Sequence, residues 1–193
     1  MAPLTAAQRN LPNIIVTGTP GTGKTAHAEM LAERLQESSN GGEGQLKMRH
    51  VSVNNIVKDK ECHEGWDDEL GCWIVDDDKL LDAMEDDGVE QGGCIIDWHA
   101  CELFPQRWID LVVVLRVESS TLYDRLSARK YAEIKLQENL DTEIMDILLQ
   151  EARDSYNEEI VVELRSDTPE EMETNVDRIF SWLEQWKKDH APE

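Results

Sequence analysis

The sequence predicts an α/β fold in which helices cover both faces of a parallel sheet. Three observations lead to this prediction. Short apolar runs alternate along the chain with longer segments whose apolar residues recur at helical spacing. The run at 112–115, Val-Val-Val-Leu, is apolar without alternation, as expected for a strand that is buried on both faces. A glycine-rich loop at 18–25 joins the first apolar run to the first helical segment.

Five strands and five helices follow from these patterns. The predicted strands are 13–17, 50–53, 94–97, 111–115 and 160–164. The predicted helices are 23–37, 77–90, 118–128, 141–157 and 169–189. The start of the last helix is fixed most firmly, because Thr168 and Glu171 have capping-box spacing and Pro169 takes the first helical position.

The loop at 18–25 reads Gly-Thr-Pro-Gly-Thr-Gly-Lys-Thr and fits the phosphate-binding pattern G-x-x-x-x-G-K-[ST]. Its glycines allow backbone N–H groups to turn toward a phosphate, and the N-terminus of the following helix also favours an anion. Lys24 can reach the β- and γ-phosphates, and the Thr25 hydroxyl can bind Mg²⁺. A chance glycine turn is the alternative, but the preceding strand and the following helix both argue against it. The sequence therefore predicts binding of a nucleoside triphosphate.

Composition sets outer limits on the function. The chain of 193 residues fits one domain, 1–193, and 40% of its residues are hydrophobic. We expect a soluble, intracellular protein with reduced cysteines, because there is no membrane-length apolar run and no secretory signal pattern at the start. The formal net charge of −22 repels nucleic acid and anionic membranes and attracts basic proteins. A charge that serves solubility alone stays open as the alternative.

Two charged segments interrupt the alternation of strand and helix. The first is 54–75, between the second strand and the next long helix, and the second is 129–140, between two helices. We expect both to be moving lids. The segment 38–45 contains three glycines and predicts a flexible surface loop without a chemical role.

Asp97 and His99 follow the third predicted strand. Asp97 stands where a second acidic residue is needed to hold Mg²⁺ or its waters opposite Thr25; a carboxylate that caps a turn is the alternative. His99 lies on the same edge and could orient or deprotonate a water, or hold a lid closed. A structural role for His99 is equally consistent with the sequence.

Four cations are candidates for contacts with phosphate. Arg125 and Arg129 are four residues apart at the end of one predicted helix, so they share a face and could converge on phosphate and base. Arg107 could reach the phosphate of a second nucleotide, and Lys58 in the first lid is a further candidate for the same phosphate. Solvated surface side chains are the alternative for each of the four.

Other signals are weaker. Cys94, His99 and Cys101 suggest zinc, but no C-x-x-C pair accompanies them. The stretch 68–71 imitates a GTPase D-x-x-G motif without a preceding strand, and no N-K-x-D motif occurs, which argues against a signalling GTPase. Trp182 and Trp186 form an apolar stripe on the last helix, which predicts core packing or, alternatively, a partner surface.

The combination of motifs resembles the adenylate kinase isoenzyme 6 family, also called coilin-interacting nuclear ATPases. The likeness runs from about residue 13 to residue 190. The phosphate loop alone marks a superfamily, whereas two further motifs are far more specific. These are Asp-Trp-His at 97–99 and Arg-x-x-x-Arg-x-Tyr at 125–131, and they are accompanied by Phe-Pro-Gln-Arg at 104–107.

This resemblance implies a P-loop fold of the nucleoside monophosphate kinase type, with a five-stranded parallel sheet, an NMP-binding segment at 54–75 and a lid at 129–140. It implies that the loop 166–168 lies against adenine and that Mg²⁺ lies near Thr25 and Asp97. The ATP-binding residues that it implies are Gly21, Thr22, Gly23, Lys24, Thr25, Arg125 and Arg129. The catalytic residues that we predict are Lys24, Asp97, His99, Arg125 and Arg129.

The family transfers phosphate from ATP to AMP and also hydrolyses ATP, the latter role being associated with the Asp-Trp-His motif. Its members act in late maturation of small-subunit ribosomal RNA, in nucleus and cytoplasm, and bind a basic small-subunit ribosomal protein of the pre-ribosomal particle. Such a partner fits the net charge of −22. The resemblance therefore implies Mg²⁺, ATP and AMP or another monophosphate as ligands. The net charge argues against a membrane partner and against direct nucleic-acid binding.

Two departures from ordinary adenylate kinases affect the predicted acceptor site. The lid of those enzymes uses an arginine where this chain offers Lys58, and a lysine lacks the bidentate grip of an arginine on phosphate. Their Asp-Gly-Phe-Pro-Arg run is here stretched, so that the sequence does not fix the position of Arg107.

Three hypotheses follow. The leading one is a nucleoside monophosphate kinase with ATPase activity. Its rival is an ATP-switched assembly factor that holds a basic ribosomal protein. A kinase of the shikimate or gluconate kind is disfavoured, because the sequence shows no likeness to their acceptor sites.

Overall fold

The structure, a computed structural model, describes residues 9–38, 48–68 and 71–190. Its strands are β1 (Ile14–Thr17), β2 (Arg49–Ser52), β3 (His63–Asp67), β4 (Cys72–Val75), β5 (Cys94–Asp97), β6 (Leu111–Arg116) and β7 (Val161–Arg165). Its helices are α1 (Lys24–Ser38), α2 (Val53–Asp59), α3 (Asp77–Asp86), α4 (Ser119–Ala128), α5 (Glu133–Ile144), α6 (Ile147–Ser155) and α7 (Pro169–Asp189). Most of the predicted loop 38–45 and part of the motif at 68–71 lie outside the described residues.

Five strands form one sheet in the order β2-β5-β1-β6-β7, and every neighbouring pair is parallel. This confirms the predicted fold class. The chain crosses from β5 on one side of β1 to β6 on the other, so the carboxyl end of β1 is a switch point in the strand order. Ligand sites of open parallel sheets form at such points. The phosphate loop follows β1, and Asp97 ends β5 next to it.

Both faces of this sheet are buried, as the apolar strands predicted. On one face, Leu31 of α1 and Ile179 of α7 pack against side chains of β1, β5 and β6. On the other face, Val57 of α2, Leu80 of α3 and Leu149 of α6 pack against the alternate side chains of the same strands. Successive residues of one strand therefore point into two cores, which is why no polar residue interrupts Leu111–Leu115.

The segment 54–75, predicted as a lid with no strand or helix assigned within it, contains most of α2 and the antiparallel hairpin β3–β4. The predicted strand at 50–53 ends one residue early, because Val53 begins α2. The elements are short, and each turns only part of its surface toward the core, which leaves a weak periodic signal.

The predicted helix at 141–157 is wrong in its bounds. Two helices, α5 and α6, replace it, and α5 begins inside the segment predicted as the second lid. The break falls at Asp146, whose backbone is left-handed with φ 57°. The Asp146 carboxylate accepts a hydrogen bond from Arg116 at the end of β6, so a distant residue stabilises the break. The predicted helix at 77–90 likewise ends early, at Asp86, before Gly88 with φ 70°.

The last helix matches its predicted bounds, and the Thr168 capping box is present. Trp186 is buried, and Trp182 packs against the core that α1 and α7 form with the sheet. The apolar stripe on the last helix therefore serves core packing. No helix among the described residues is both long and apolar enough to cross a membrane.

Candidate active site

A cleft of about 1050 Å³ opens at the carboxyl ends of β1 and β5. The phosphate loop and Asp97 form its floor, the hairpin β3–β4 forms one wall, and α5 forms another. The residues from these three parts that line it include Gly21, Gly23, Lys24, Thr25, Trp66, Cys72, Trp73, Asp97, Lys135, Glu138, Asn139 and Thr142. The two segments predicted as lids thus face the predicted nucleotide site from opposite sides.

The phosphate loop folds tightly around its own carbonyl groups. The Lys24 ammonium donates to the carbonyl oxygens of Gly18 (2.8 Å) and Thr19 (3.2 Å). Gly18 has φ +139°, and a Cβ there would lie 2.6 Å from the carbonyl oxygen of Leu115, so only glycine fits. Thr22 is fully buried, and its hydroxyl donates to the Thr19 carbonyl. The predicted contact of Thr22 with ATP can therefore come only from its backbone.

Lys24 is less basic than an ordinary lysine. Burial in the loop, with some repulsion from Arg129, lowers the pKa of Lys24 to about 8, although the carboxylates of Asp97 and Glu143 act in the opposite direction. A phosphate placed against this ammonium would favour its protonated form. The loop is thus suited to an anion, since the buried cation gains most from one.

Thr25 and Asp97 meet as the sequence predicted. The Thr25 hydroxyl donates to Asp97 Oδ2 at 2.5 Å, and Asp97 is 1% exposed. The pair provides one hydroxyl and one carboxylate, which are ligands suited to Mg²⁺ held mainly by phosphate oxygens and water. Among the described residues, no group of three or more His, Cys, Asp or Glu side chains comes together to hold a metal on its own. The donor set therefore fits a metal that arrives with a nucleotide.

His99 lines the cleft two residues after Asp97, beside the Trp98 ring. Desolvation in the cleft, together with the nearby cations Lys24 and Lys135, lowers the pKa of His99 to about 4. Its imidazole is therefore neutral at pH 7. A neutral ring can orient a water, but a group of such low pKa is a weak base.

The two arginines predicted to contact phosphate, Arg125 and Arg129, make different contacts. Arg129 lines the cleft, whereas the guanidinium of Arg125 donates to three backbone carbonyls: Gly21 (3.1 Å), Ser166 (2.9 Å) and Asp167 (2.9 Å). In the structure, Arg125 thus joins the phosphate loop to the predicted adenine loop 166–168, and its contact with ATP stays a prediction. The Ser166 hydroxyl strengthens the same junction by donating to the Thr22 carbonyl.

The two cations predicted for the acceptor phosphate lie elsewhere. Arg107 is half exposed and pairs with Glu85 of α3 at 3.6 Å, because two short 3₁₀ turns carry the chain away from the cleft after His99. Lys58 is exposed on α2, while Asn54 and Val57 of that helix face the cleft. The structure therefore does not bring Lys58 or Arg107 to the predicted nucleotide site.

Several cleft residues escaped the sequence analysis. Lys135 of α5 lines the cleft and donates to the Gly71 carbonyl of the hairpin at 3.3 Å. Trp66 and Trp73 expose 49% and 36% of their surface, and Trp73 stacks on His63 with ring centroids 3.9 Å apart. Lysines and aromatic residues in charged segments resemble ordinary surface residues, so the one available signal was the unusual pair of tryptophans in 54–75.

His50 and Glu143 were also missed. The His50 Nε2 atom lies 3.6 Å from Asp97 Oδ2, which is too long for a hydrogen bond, and it has no hydrogen-bond partner among the described residues. Glu143 is buried against the phosphate loop at the end of α5. Neither position stands out in the sequence, because each partner lies far away along the chain.

Comparison with known proteins agrees with this geometry. Residues 14–146 match the model of a family described as AAA domain. The adenylate kinase isoenzyme 6 homolog HBR1 of Candida albicans is 53% identical over 96% of this chain and 74% of that protein. The homolog of Dictyostelium discoideum is 49% identical over 93% of this chain and 95% of that protein. The homolog FAP7 of Saccharomyces cerevisiae is 47% identical over 95% of this chain and 88% of that protein.

The chain belongs to the adenylate kinase isoenzyme 6 family. The resemblance read from its motifs is thereby confirmed, and the protein is an enzyme of the nucleotide-kinase type.

Solved structures of other kinases share the fold of this isoenzyme 6 homologue. A shikimate kinase from Bacteroides thetaiotaomicron superposes with a TM-score of 0.53 at 17% identity, covering 90% of this chain and 99% of that one. A gluconokinase from Sinorhizobium meliloti gives a TM-score of 0.50 at 19% identity, covering 91% and 97%. At such low identity the likeness concerns the fold alone. It does not support the disfavoured hypothesis of a kinase that acts on shikimate or gluconate.

Proposed function

We propose that this protein transfers the γ-phosphoryl group of ATP to AMP or a related monophosphate, yielding two nucleoside diphosphates, and that it also hydrolyses ATP. The observation that carries the proposal is the convergence of Lys24, Thr25 and Asp97 on one cleft that also receives Arg129 and Lys135. Phosphoryl transfer needs positioning and positive charge around the reacting phosphate more than covalent chemistry. This cleft provides both.

Different residues of the cleft would have different roles in phosphoryl transfer. The loop 21–25 and Lys24 would bind the β- and γ-phosphates, and Arg129 and Lys135 would meet the charge that develops on the transferred group. Arg125 would hold the phosphate loop and the loop 166–168 in register for the nucleotide. Thr25 and Asp97 would hold Mg²⁺, which would supply positive charge to neutralise the phosphates when bound.

The acceptor base has an aromatic wall available. Trp66 and Trp73 meet edge to face with centroids 5.0 Å apart, and both line the cleft opposite α5. Exposed tryptophan rings bind nucleobases by stacking, with little dependence on the hydrogen-bonding pattern of the base. With Lys58 and Arg107 outside the cleft, stacking would carry a large share of the acceptor affinity. We therefore expect modest discrimination among monophosphates.

For hydrolysis, water would replace the acceptor. The neutral His99 imidazole would accept a hydrogen bond from that water and orient it, while the low pKa of His99 makes full proton abstraction unfavourable. Loss of His99 should then lower hydrolysis more than transfer to AMP.

Product analysis separates these activities. Mg-ATP is incubated with and without AMP, ADP and inorganic phosphate are quantified, and the assay is repeated with Lys24→Ala and His99→Ala. We expect AMP to yield ADP without matching phosphate release, His99→Ala to lose phosphate release preferentially, and Lys24→Ala to lose both reactions. Turnover retained in a folded Lys24→Ala variant, judged by circular dichroism, would refute the assignment of the site.

A second candidate function is favoured by the net charge of −22. We propose that the protein also acts as an ATP-switched assembly factor that binds a basic small-subunit ribosomal protein during small-subunit maturation, in nucleus and cytoplasm. Charge complementarity supports a basic partner, and a cleft walled by two separate segments could close around nucleotide and alter a neighbouring surface.

The switch is tested by measuring the affinity for the purified ribosomal protein in ADP and in a non-hydrolysable ATP analogue. Different affinities support the switch, whereas equal affinities would leave nucleotide state without a role.

A further inference from the structure

Glu143 is a carboxylate buried beside the phosphate loop, 4% exposed in the last turn of α5. Its Oε2 atom accepts a hydrogen bond from the Thr19 hydroxyl at 2.5 Å. Its Oε1 atom accepts from Arg116 Nε at 2.7 Å and from the Val117 backbone N–H at 3.1 Å. A buried carboxylate is costly unless donors satisfy it, so three donors directed at one side chain indicate a specific arrangement.

Thr19 is the residue around which the phosphate loop is organised. Its carbonyl oxygen accepts from the Thr22 backbone N–H (3.2 Å), from the Thr22 hydroxyl (2.9 Å) and from the Lys24 ammonium (3.2 Å). Holding the Thr19 side chain therefore also fixes the carbonyl that positions Lys24. Glu143 supplies that hold from a position 124 residues further along the chain.

The same carboxylate fixes the end of α5. The guanidinium of Arg116, at the end of β6, donates to the Glu143 carboxylate at 2.7 Å and also to the Glu143 backbone carbonyl at 2.8 Å. Arg116 binds the Asp146 carboxylate as well, at the left-handed residue that separates α5 from α6. The C-terminal end of α5 is thus tied to the sheet, whereas its N-terminal half extends along the cleft.

The cleft-facing side of α5 comprises Lys135, Glu138, Asn139 and Thr142, at spacings i, i+3, i+4 and i+7. Because a helix moves as one body over two turns, fixing its end at Glu143 fixes the direction of this face. Glu143 therefore contacts the phosphate loop directly, and it also determines where the cleft-facing side of α5 lies.

We propose that Glu143 is a positioning residue for phosphoryl transfer, which couples the phosphate loop through Thr19 to the cleft-facing side of α5. This inference rests on the proposed function, because it concerns the site where transfer would take place. The competing explanation is that Glu143 merely neutralises the partly buried guanidinium of Arg116. The two explanations differ in whether the Thr19 contact matters for turnover.

Four variants of the full chain separate them: Glu143→Gln, Thr19→Val, the double variant, and Asp146→Asn as a matched control. Asp146→Asn removes another carboxylate partner of Arg116 but leaves the contact between Glu143 and Thr19 intact. Thr19→Val keeps Glu143 bound to Arg116 and Val117 and leaves the charge count unchanged. It therefore keeps the test informative if Glu143→Gln fails to fold.

Kinetic measurements use whichever product the wild type forms, ADP from AMP or inorganic phosphate from ATP. We expect Thr19→Val and Glu143→Gln each to lower kcat about tenfold or more, with the KM for ATP changed less than about threefold, because misplacement of reacting groups penalises the transition state more than binding. The double variant should be little worse than either single one, since both remove the same contact. Asp146→Asn should keep near wild-type kcat, because Arg116 still binds the carboxylate and the backbone carbonyl of Glu143 and these contacts keep the end of α5 on the sheet.

Hydrogen exchange gives a readout independent of turnover. In the complex with Mg²⁺ and a non-hydrolysable ATP analogue, Thr19→Val should raise amide exchange in peptides of α5 and leave α7 unchanged. Unchanged exchange in α5, or a fall in kcat no larger than that of Asp146→Asn, would overturn the proposal. If the wild type forms no ADP from AMP but does hydrolyse ATP, the proposed kinase reaction fails while the Glu143 comparison still stands on its own measurements.

Discussion

Replacing Arg125 and Arg129 separately by lysine should produce two different defects, although the residues are one helical turn apart. The Arg125 guanidinium holds three carbonyls on two loops, while Arg129 lines the cleft. A lysine at 125 keeps its charge but lacks the planar fork, so it can satisfy about one of the three acceptors. The substitution therefore tests the bracing geometry rather than the charge.

The magnitude follows from the lost contacts. Two hydrogen bonds from a partly buried charged donor are worth about 1 kcal/mol each net, so Arg125→Lys should cost about 2 kcal/mol of unfolding free energy. For a chain of this length that corresponds to a fall in Tm of about 4–8 °C. Because the phosphate loop and the loop 166–168 lose their link, the KM for ATP should rise as well. Arg129→Lys should leave Tm within about 2 °C, since exposed substitutions cost about 0.5 kcal/mol or less, and should lower kcat.

The assay is differential scanning calorimetry of each variant, followed by steady-state kinetics at a temperature where all remain folded. The reasoning is refuted if Arg125→Lys keeps the wild-type Tm and KM and loses only kcat. That outcome would mean that the guanidinium acts on the transferring phosphate, as the sequence had suggested, and not on the loops.

Three further outcomes are expected. Binding of an ATP analogue should be accompanied by proton uptake near pH 8, because Lys24 has a pKa of about 8 without a ligand and a bound phosphate raises that pKa. Binding should therefore weaken as the pH rises above about 8. Calorimetry in buffers of different ionisation enthalpy measures the proton uptake. A buffer-independent binding enthalpy at that pH would contradict it. Gly18→Ala should lower the unfolding free energy by about 2 kcal/mol or more, because its Cβ would lie 2.6 Å from a backbone oxygen. Gly71→Ala should cost only about 1 kcal/mol for its positive φ, because its Cβ would meet no atom within 4 Å among the described residues other than its chain neighbours. Denaturant titration compares the two. Trp73→Leu should raise the KM for AMP about fivefold or more, because stacking is worth about 1–3 kcal/mol per base. The KM for ATP should be nearly unchanged. An unaltered KM for AMP would show that the hairpin β3–β4 is not part of the acceptor site.

The parts of the molecule that follow from local pattern were predicted well. The five parallel strands, the phosphate loop with Lys24 and Thr25, and the capped helix α7 depend on residues that are neighbours in sequence, so their signals are contained in short windows. Asp97 was predicted to lie opposite Thr25 because it ends a predicted strand, where a second acidic residue is needed for Mg²⁺.

Predictions failed where contacts between distant residues outweighed the local pattern. Periodicity continues across Asp146, which has no glycine or proline beside it, yet Arg116 holds a helix break there. Arg125 shares a helical face with Arg129, but its guanidinium donates to the backbone carbonyls of Gly21, Ser166 and Asp167. Lys58 and Arg107 have the right charge, and the paths of α2 and the turns after His99 direct them elsewhere.

The sequence by itself determined the fold class, the nucleotide-binding loop and the family, since each depends on residue types at fixed short spacings. The tertiary structure alone decided which cations reach the cleft, which tryptophans wall it, and that a glutamate at the end of α5 holds the phosphate loop. The physical reason is that a hydrogen bond between Thr19 and Glu143 spans 124 residues. No local preference of the chain encodes such a contact, and only the packing of α5 against the end of β6 brings the two groups together.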